Sequence, residues 1–361
     1  TKYNADRSYA WTITFGGIGD DGGYGANIDI FGNLYITGYF SDTVNFNNTG
    51  SGSDDFKTSN GGVDVFITKL NSDLSYAWTY TFGTEERDVG LSVVTNSTGE
   101  VYLGGYFSFL GTNMPTEFNT TGAGSSDIKT ANGSSDAFLT KYNVDGSYGW
   151  TNTFGSWDSD NIWRVAIDSN DNIFISGIFY GDGINFNGTG SGADDIRDSN
   201  SASSDIFLSK YNADDSYAWT RTVGGEQADF GYGISIDASD SVYVTGNFYS
   251  ENIDFNGQGG TPDIKSSSGG RDIFITKYAN NGDYLWTETF GNTGDDFGWS
   301  AVATTDAVYL SGHFQSASIN FNSAGEDLRF SHGGYDVFIT KLDLSGNYIS
   351  TKAIGGSGLD W

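Results

Sequence analysis

Six segments of this chain are near copies of one another. The stretch DVFITKLNSDLSYAWTYTFG at 64–83 returns at 136–155, 205–224 and 272–291; a partial copy occupies 1–16 and a diverged one 336–355. Its tryptophan falls at Trp11, Trp78, Trp150, Trp219 and Trp286, with Ser350 in the sixth place, so the spacings are 67, 72, 69, 67 and 64 residues. Repetition at such a period means a unit that buries its apolar face only by stacking on its own copies. Any fold for this chain must therefore be an array of one element.

Each unit reads as short strands. Residues 64–70 and 76–82 are β-branched and aromatic, alternate at period two, and flank an Asn/Ser/Asp turn, which predicts a hairpin. Residues 232–237 and 242–248 predict a second hairpin across a tight turn. Four antiparallel strands joined as a meander make one propeller blade, whereas common solenoid repeats are shorter or helical. The expected fold is all-β, a β-propeller of five to six four-stranded antiparallel blades built from repeats of about 67 residues. The repeat units run 1–67, 68–139, 140–208, 209–275 and 276–339, with a partial unit at 340–361, in one propeller domain. Nearly all length variation lies between the second and third strands of each blade. Loops on a rigid scaffold carry function, so the face bearing that connection is the one to search. The chain starts at Thr1, and its only methionine is Met114, which suggests a window of a longer protein.

Composition narrows the function classes. The 38 Asp, 30 Asn and 52 Gly make a third of the 361 residues; all three favour turns over helices. A formal charge of −29, with 17 Lys and Arg against 46 acids, excludes a nucleic-acid footprint. No apolar run approaches the roughly 18 residues of a membrane span. The chain has no cysteine, so thiol chemistry is absent.

Taken together, the Asp-x-Phe-[Ile/Leu]-[Thr/Ser]-Lys strands, the Trp-Thr pairs and the Val-Tyr-Val-Thr-Gly type strands resemble the SBBP-type β-propeller repeats of secreted bacterial and archaeal proteins. The resemblance covers essentially the whole chain. It implies a propeller on an exported surface protein, at an extracellular or cell-surface location, and supplies no catalytic residues.

Candidate chemistry is sparse. His313 and His332 are the only histidines, and both read as solvated turn or strand-end residues. No G-x-S-x-G or H-E-x-x-H motif occurs. Calcium is the metal that oxygen-rich loops suit. The loops between blades supply candidate ligands Asp20, Asp21, Asp158, Asp160, Asp229, Asp295 and Asp296; the competing reading is Asx-turn capping. A second acidic set, Asp54, Asp55, Asp127, Asp194, Asp195, Asp263 and Asp327, lies in the variable connection. Tyr24, Trp163, Tyr232 and Trp299 recur nine residues after strand-end positions. There they would surround a channel mouth beside the acids, as a sugar platform or as blade packing. The repeated tryptophans read as inter-blade core, and the repeated Lys2, Lys69, Lys141, Lys210, Lys277 and Lys341 as structural. Five N-x-[ST] sequons occur, at Asn47, Asn96, Asn119, Asn132 and Asn187.

The functional expectation is a non-catalytic extracellular surface, adhesion or matrix module that binds a glycan or surface protein, stabilised by Ca²⁺. The alternative is a structural subunit that self-associates through unpaired terminal strands into a filament or layer. A polysaccharide-active enzyme comes third.

Overall fold

The computed structural model describes residues 1–48, 52–108, 115–201, 203–257 and 259–360; Met114 and Trp361 lie outside them. Among these residues every regular element is a strand. Five four-stranded antiparallel sheets follow one another along the chain. They comprise Gly22–Ile28, Leu34–Phe40, Asp64–Leu70 and Tyr76–Phe82 in the first blade, and Val89–Thr95, Val101–Ser108, Ser135–Tyr142 and Tyr148–Phe154 in the second. The third blade holds Asn161–Ile167, Ile173–Tyr180, Ser204–Tyr211 and Tyr217–Val223. The fourth holds Asp229–Ile236, Val242–Phe248, Asp272–Tyr278 and Tyr284–Phe290, and the fifth Asp296–Ala303, Ala307–Phe314, Asp336–Asp343 and Tyr348–Ile354. Strands pair in chain order within every blade, which is the expected propeller meander. Two compact units divide the chain, residues 1–153 and 154–361.

The variable connection is more ordered than a loop. In each blade it folds into its own two-stranded ribbon, for example Thr43–Asn45 with Phe56–Thr58, and Ile253–Asp254 with Ile264–Lys265. A phenylalanine just past the first ribbon strand anchors it. Phe46, Phe118, Phe186, Phe255 and Phe321 are all at most 1% exposed. Each packs on the phenylalanine of its blade's third strand, as Phe118 does on Phe138 at 5.5 Å and Phe321 on Phe338 at 4.9 Å. The end of the preceding blade's fourth strand closes the cluster, with Phe82 on Phe118 at 4.7 Å and Phe290 on Phe321 at 5.5 Å.

A second bolt fixes each ribbon. The hydroxyls of Tyr76, Tyr148, Tyr217, Tyr284 and Tyr348 donate to Asp55, Asp127, Asp195, Asp263 and Asp327. Each of these carboxylates also pairs with the ribbon cation two residues on, from Lys57–Asp55 at 3.0 Å to Arg329–Asp327 at 2.8 Å. These members of the second acidic set are structural, satisfied by a phenol and a cation. Function is therefore left to whatever the ribbons and inter-blade loops frame.

Blade junctions within each unit are hydrophobic. Tyr35, Val65, Ile67 and Phe82 of the first blade meet Val93, Val101, Leu103 and Phe107 of the second. The repeated tryptophans sit at the rim of these cores, partly buried: Trp78 stacks on Tyr80 at 4.4 Å, and Trp286 donates to the Leu344 carbonyl of the next blade. The repeated lysines are structural as well. Lys141 pairs with Glu100 at 3.0 Å, and Lys277 with Asp237 at 3.1 Å while lying over the Tyr243 ring.

Candidate binding site on the aromatic bulges

The five positions that carry Tyr24, Leu91, Trp163, Tyr232 and Trp299 share one backbone feature. In every first strand the register skips that residue: Gly23 pairs with Gly38 and Gly25 with Thr37, and likewise Gly231 with Gly246 and Gly233 with Thr245. Each is the extra residue of a β-bulge, a device that re-aims a side chain out of the sheet pattern. The bulge also explains a repeated glycine of the second strand. A Cβ on Gly246 would stand 1.8 Å from the Phe230 carbonyl oxygen, so only glycine fits opposite the kinked strand.

In the second unit the bulge aromatics form a continuous row. Trp163 meets Tyr232 edge-on at 5.2 Å, and Tyr232 meets Trp299 at 4.5 Å. Two phenylalanines underlie the row, Phe230 stacked on Tyr232 at 5.8 Å and Phe297 stacked on Trp299 at 5.6 Å. Between them sits Arg271, its guanidinium carbon 5.3 Å from both phenylalanine ring centroids. Tyr232 is 9% exposed, whereas Trp299 is 38% exposed. Tyr24, in the first unit, is half exposed and lies 5.8 Å from Tyr39, on which the Arg87 guanidinium also rests.

His313 belongs to this site, contrary to the solvated strand-end residue expected from sequence. It is 2% exposed and accepts the Trp299 indole hydrogen at Nδ1, 3.0 Å away. Burial lowers its pKa to about 4, so the ring stays neutral and keeps that acceptor at ordinary pH. His332 is exposed and bonds to Asp336 at 3.0 Å, as its turn position suggests.

The inter-blade acids divide into two kinds. Asp160, Asp229 and Asp296 are fully buried, and backbone N–H groups occupy both of their carboxylate oxygens. Asp229 takes Gly225 N–H at 2.9 Å on one oxygen and Tyr249 N–H at 2.9 Å on the other, tying the inter-blade loop to the second strand. Asp21 repeats half of this, accepting from Gly17 at 2.7 Å. Asp20 is exposed; Asp158 and Asp295 are half-buried, and Asp295 accepts the backbone N–H of Arg271 at 3.1 Å. Among the described residues no group of three or more His, Cys, Asp or Glu side chains converges as a metal cage.

Sequence reasoning missed the buried partners of these acids. Asp64, Asp136, Asp205, Asp272 and Asp336 open the third strands and are at most 4% exposed. One oxygen of each accepts from the turn before it, as Asp205 does from Asn200, while the other has no hydrogen-bond partner. Desolvation raises Asp64, Asp205 and Asp272 to about 7, with the neighbouring Asp88, Asp229 and Asp296 adding to the effect. The five sequons are committed to local structure too. Each asparagine amide donates inside its own loop, as Asn187 does to the Ser191 and Ala193 carbonyls and Asn132 to Asp136.

No family model matches the chain. Over 240 residues it is 22% identical to an uncharacterised WD repeat-containing protein of Acanthamoeba polyphaga mimivirus, covering 63% of this chain. The match spans only 17% of that much longer relative. A WD-repeat relative and five four-stranded meanders agree on one class, a β-propeller repeat protein. The SBBP type remains a resemblance carried by the strand motifs.

Proposed function

We propose that this chain is a non-catalytic propeller module that binds a glycan on an extracellular surface, with the bulge aromatics as the platform. The observation that carries the reading is the touching row Trp163–Tyr232–Trp299, ending in an indole that is 38% exposed and held in place by His313. Sugar C–H faces stack on such rings while their hydroxyls take hydrogen bonds from neighbouring polar groups. A surface protein partner would use the same exposed indole as an anchor. For calcium the accessible candidate carboxylates lie in separate loops, the exposed Asp20 in the first unit and the half-buried Asp158 and Asp295 in the second, and a melting temperature raised by Ca²⁺ and lowered by EDTA would support binding. The test of the main reading is a glycan array with the wild type and the Trp163→Ala/Trp299→Ala double variant. Binding lost in the double variant supports the platform; binding retained removes it.

One observation favours the self-assembling alternative. The terminal hairpin, Lys2–Tyr3 with Tyr9–Trp11, forms a sheet of its own, with Tyr3 63% and Tyr9 59% exposed. Such an edge can accept strands from another copy. Electron microscopy of the purified protein decides: fibres or sheets favour assembly, and monodisperse particles eliminate it.

A further inference from the structure

We infer that the aromatic site of the second unit selects acidic sugars, those bearing a carboxylate, over neutral ones, and that Arg271 makes the selection. This inference rests on the glycan reading above and specifies the class of glycan.

Arg271 differs from the other arginines of the sheets in how little its guanidinium is engaged. Arg197 and Arg329 pair with Asp195 and Asp327, each at 2.8 Å, while Arg87, Arg164 and Arg221 donate to the Tyr106 hydroxyl and to the Trp163 and Gly282 carbonyls. Among the described residues the Arg271 guanidinium has no ion pair and no hydrogen bond. Even Asp295, its nearest acid by hydrogen bonding, is engaged by the Arg271 backbone N–H instead. The guanidinium lies over both the Phe230 and the Phe297 rings, contacts that restrict where it can go. A planar guanidinium so restricted loses little further freedom on meeting a carboxylate, and its fork geometry suits that anion.

Internal repetition shows that the scaffold does not require an arginine here. The residue before each opening aspartate is Val63, Ser135, Ser204, Arg271 and Tyr335, different in nearly every copy, while the aspartate itself never changes. The neighbouring second-strand position varies in the same way, as Tyr39, Tyr106, Ile178, Asn247 and His313. Asn247 pairs directly across the sheet with Phe230, is fully buried, and has both its amide oxygen and nitrogen without a hydrogen-bond partner. Two polar side chains without hydrogen-bond partners thus adjoin the aromatic row at positions where the repeat is free to vary. An acidic sugar stacked on Trp299 would present its carboxylate to Arg271 beside that row.

The test is calorimetric titration of the full chain with three probes: a galacturonate tetramer, the matching neutral galactose tetramer, and a sulfated galactose tetramer. The expected result is that galacturonate binds on the order of tenfold more tightly than the neutral probe. Arg271→Gln should bring the two within about twofold, with Arg271→Lys intermediate because a point charge replaces the fork. Galacturonate binding should also strengthen between low and physiological salt. The screening length falls to about 8 Å there, hiding the acidic shell while sparing the local contact. Circular dichroism and melting of each variant check that the fold is intact. Equal affinity for acidic and neutral probes, a sulfate preference, or an acid preference that survives Arg271→Gln would overturn the inference and leave the glycan reading standing. No binding to any probe would overturn both.

Discussion

The indole Nε1–H of Trp299 donates to Nδ1 of His313 at 3.0 Å, so that a ring on the surface is oriented by one inside the protein. The acceptor role places the His313 proton on Nε2 and requires a neutral ring. Because the folded-state pKa, about 4, lies below the ordinary 6.5, the unfolded chain binds the proton first. Stability contributed by this group is therefore present above about 6.5 and is lost as pH falls towards 4. Imidazole nitrogen-15 spectra should show one neutral tautomer from pH 5 to 8. His313→Phe should remove the acid-sensitive part of the stability profile; an imidazole that titrates near 6.5 would disprove the assignment.

The buried aspartates predict the opposite slope. Asp64, Asp205 and Asp272 stay protonated to about 7, whereas in the unfolded chain they ionise near 3.8. Between those values the native state holds more protons, so stability falls as pH rises through the folded pKa and stays at the lower level above it. Melting temperature should be higher at pH 5 than at pH 8. Asp272→Asn, which mimics the protonated acid, should raise it more at pH 8 than at pH 5. A wild type at least as stable at pH 8, with an Asn variant destabilised at both values, would instead point to a compensated carboxylate such as one beside a bound cation.

Gly224 and Asp205 form a coupled pair. A Cβ on Gly224 would lie 2.2 Å from the Asp205 carboxylate oxygen Oδ1, and Gly83, Gly291 and Gly355 repeat the arrangement with Asp64, Asp272 and Asp336. Gly224→Ala should cost about 1–3 kcal/mol by overpacking. Asp205→Ala introduced with it should recover at least about 1 kcal/mol relative to additive behaviour. Urea midpoints of the four proteins in the cycle measure this, and additive losses would show that the two sites do not touch.

The blade was legible in the sequence because its signals are local. Period-two alternation and turn residues placed the strands 64–70 and 76–82 where they are found, and the repeat spacing placed the next blades. The bulge aromatics were also legible as a recurring position. Their contact partners were not, because Arg271 and His313 occupy positions with no repeat signature and reach the row only across strands. The acidic loops were legible only as recurring acids, for a related reason. An aspartate that holds backbone N–H groups on both oxygens and one that accepts a single N–H have the same letter, and Asp296 and Asp295 differ in how the chain turns them.

The sequence by itself determined the repeating unit, the all-β blade and the turn chemistry behind the excess of Asp, Asn and Gly, since each depends on neighbours a few residues apart. Only the tertiary structure decided which acids are buried, that the variable connections are bolted ribbons, and that the Arg271 guanidinium lies between two phenylalanine rings with neither an ion pair nor a hydrogen bond among the described residues. Burial and charge pairing are properties of residues brought together from distant repeats. No local pattern along the chain encodes them.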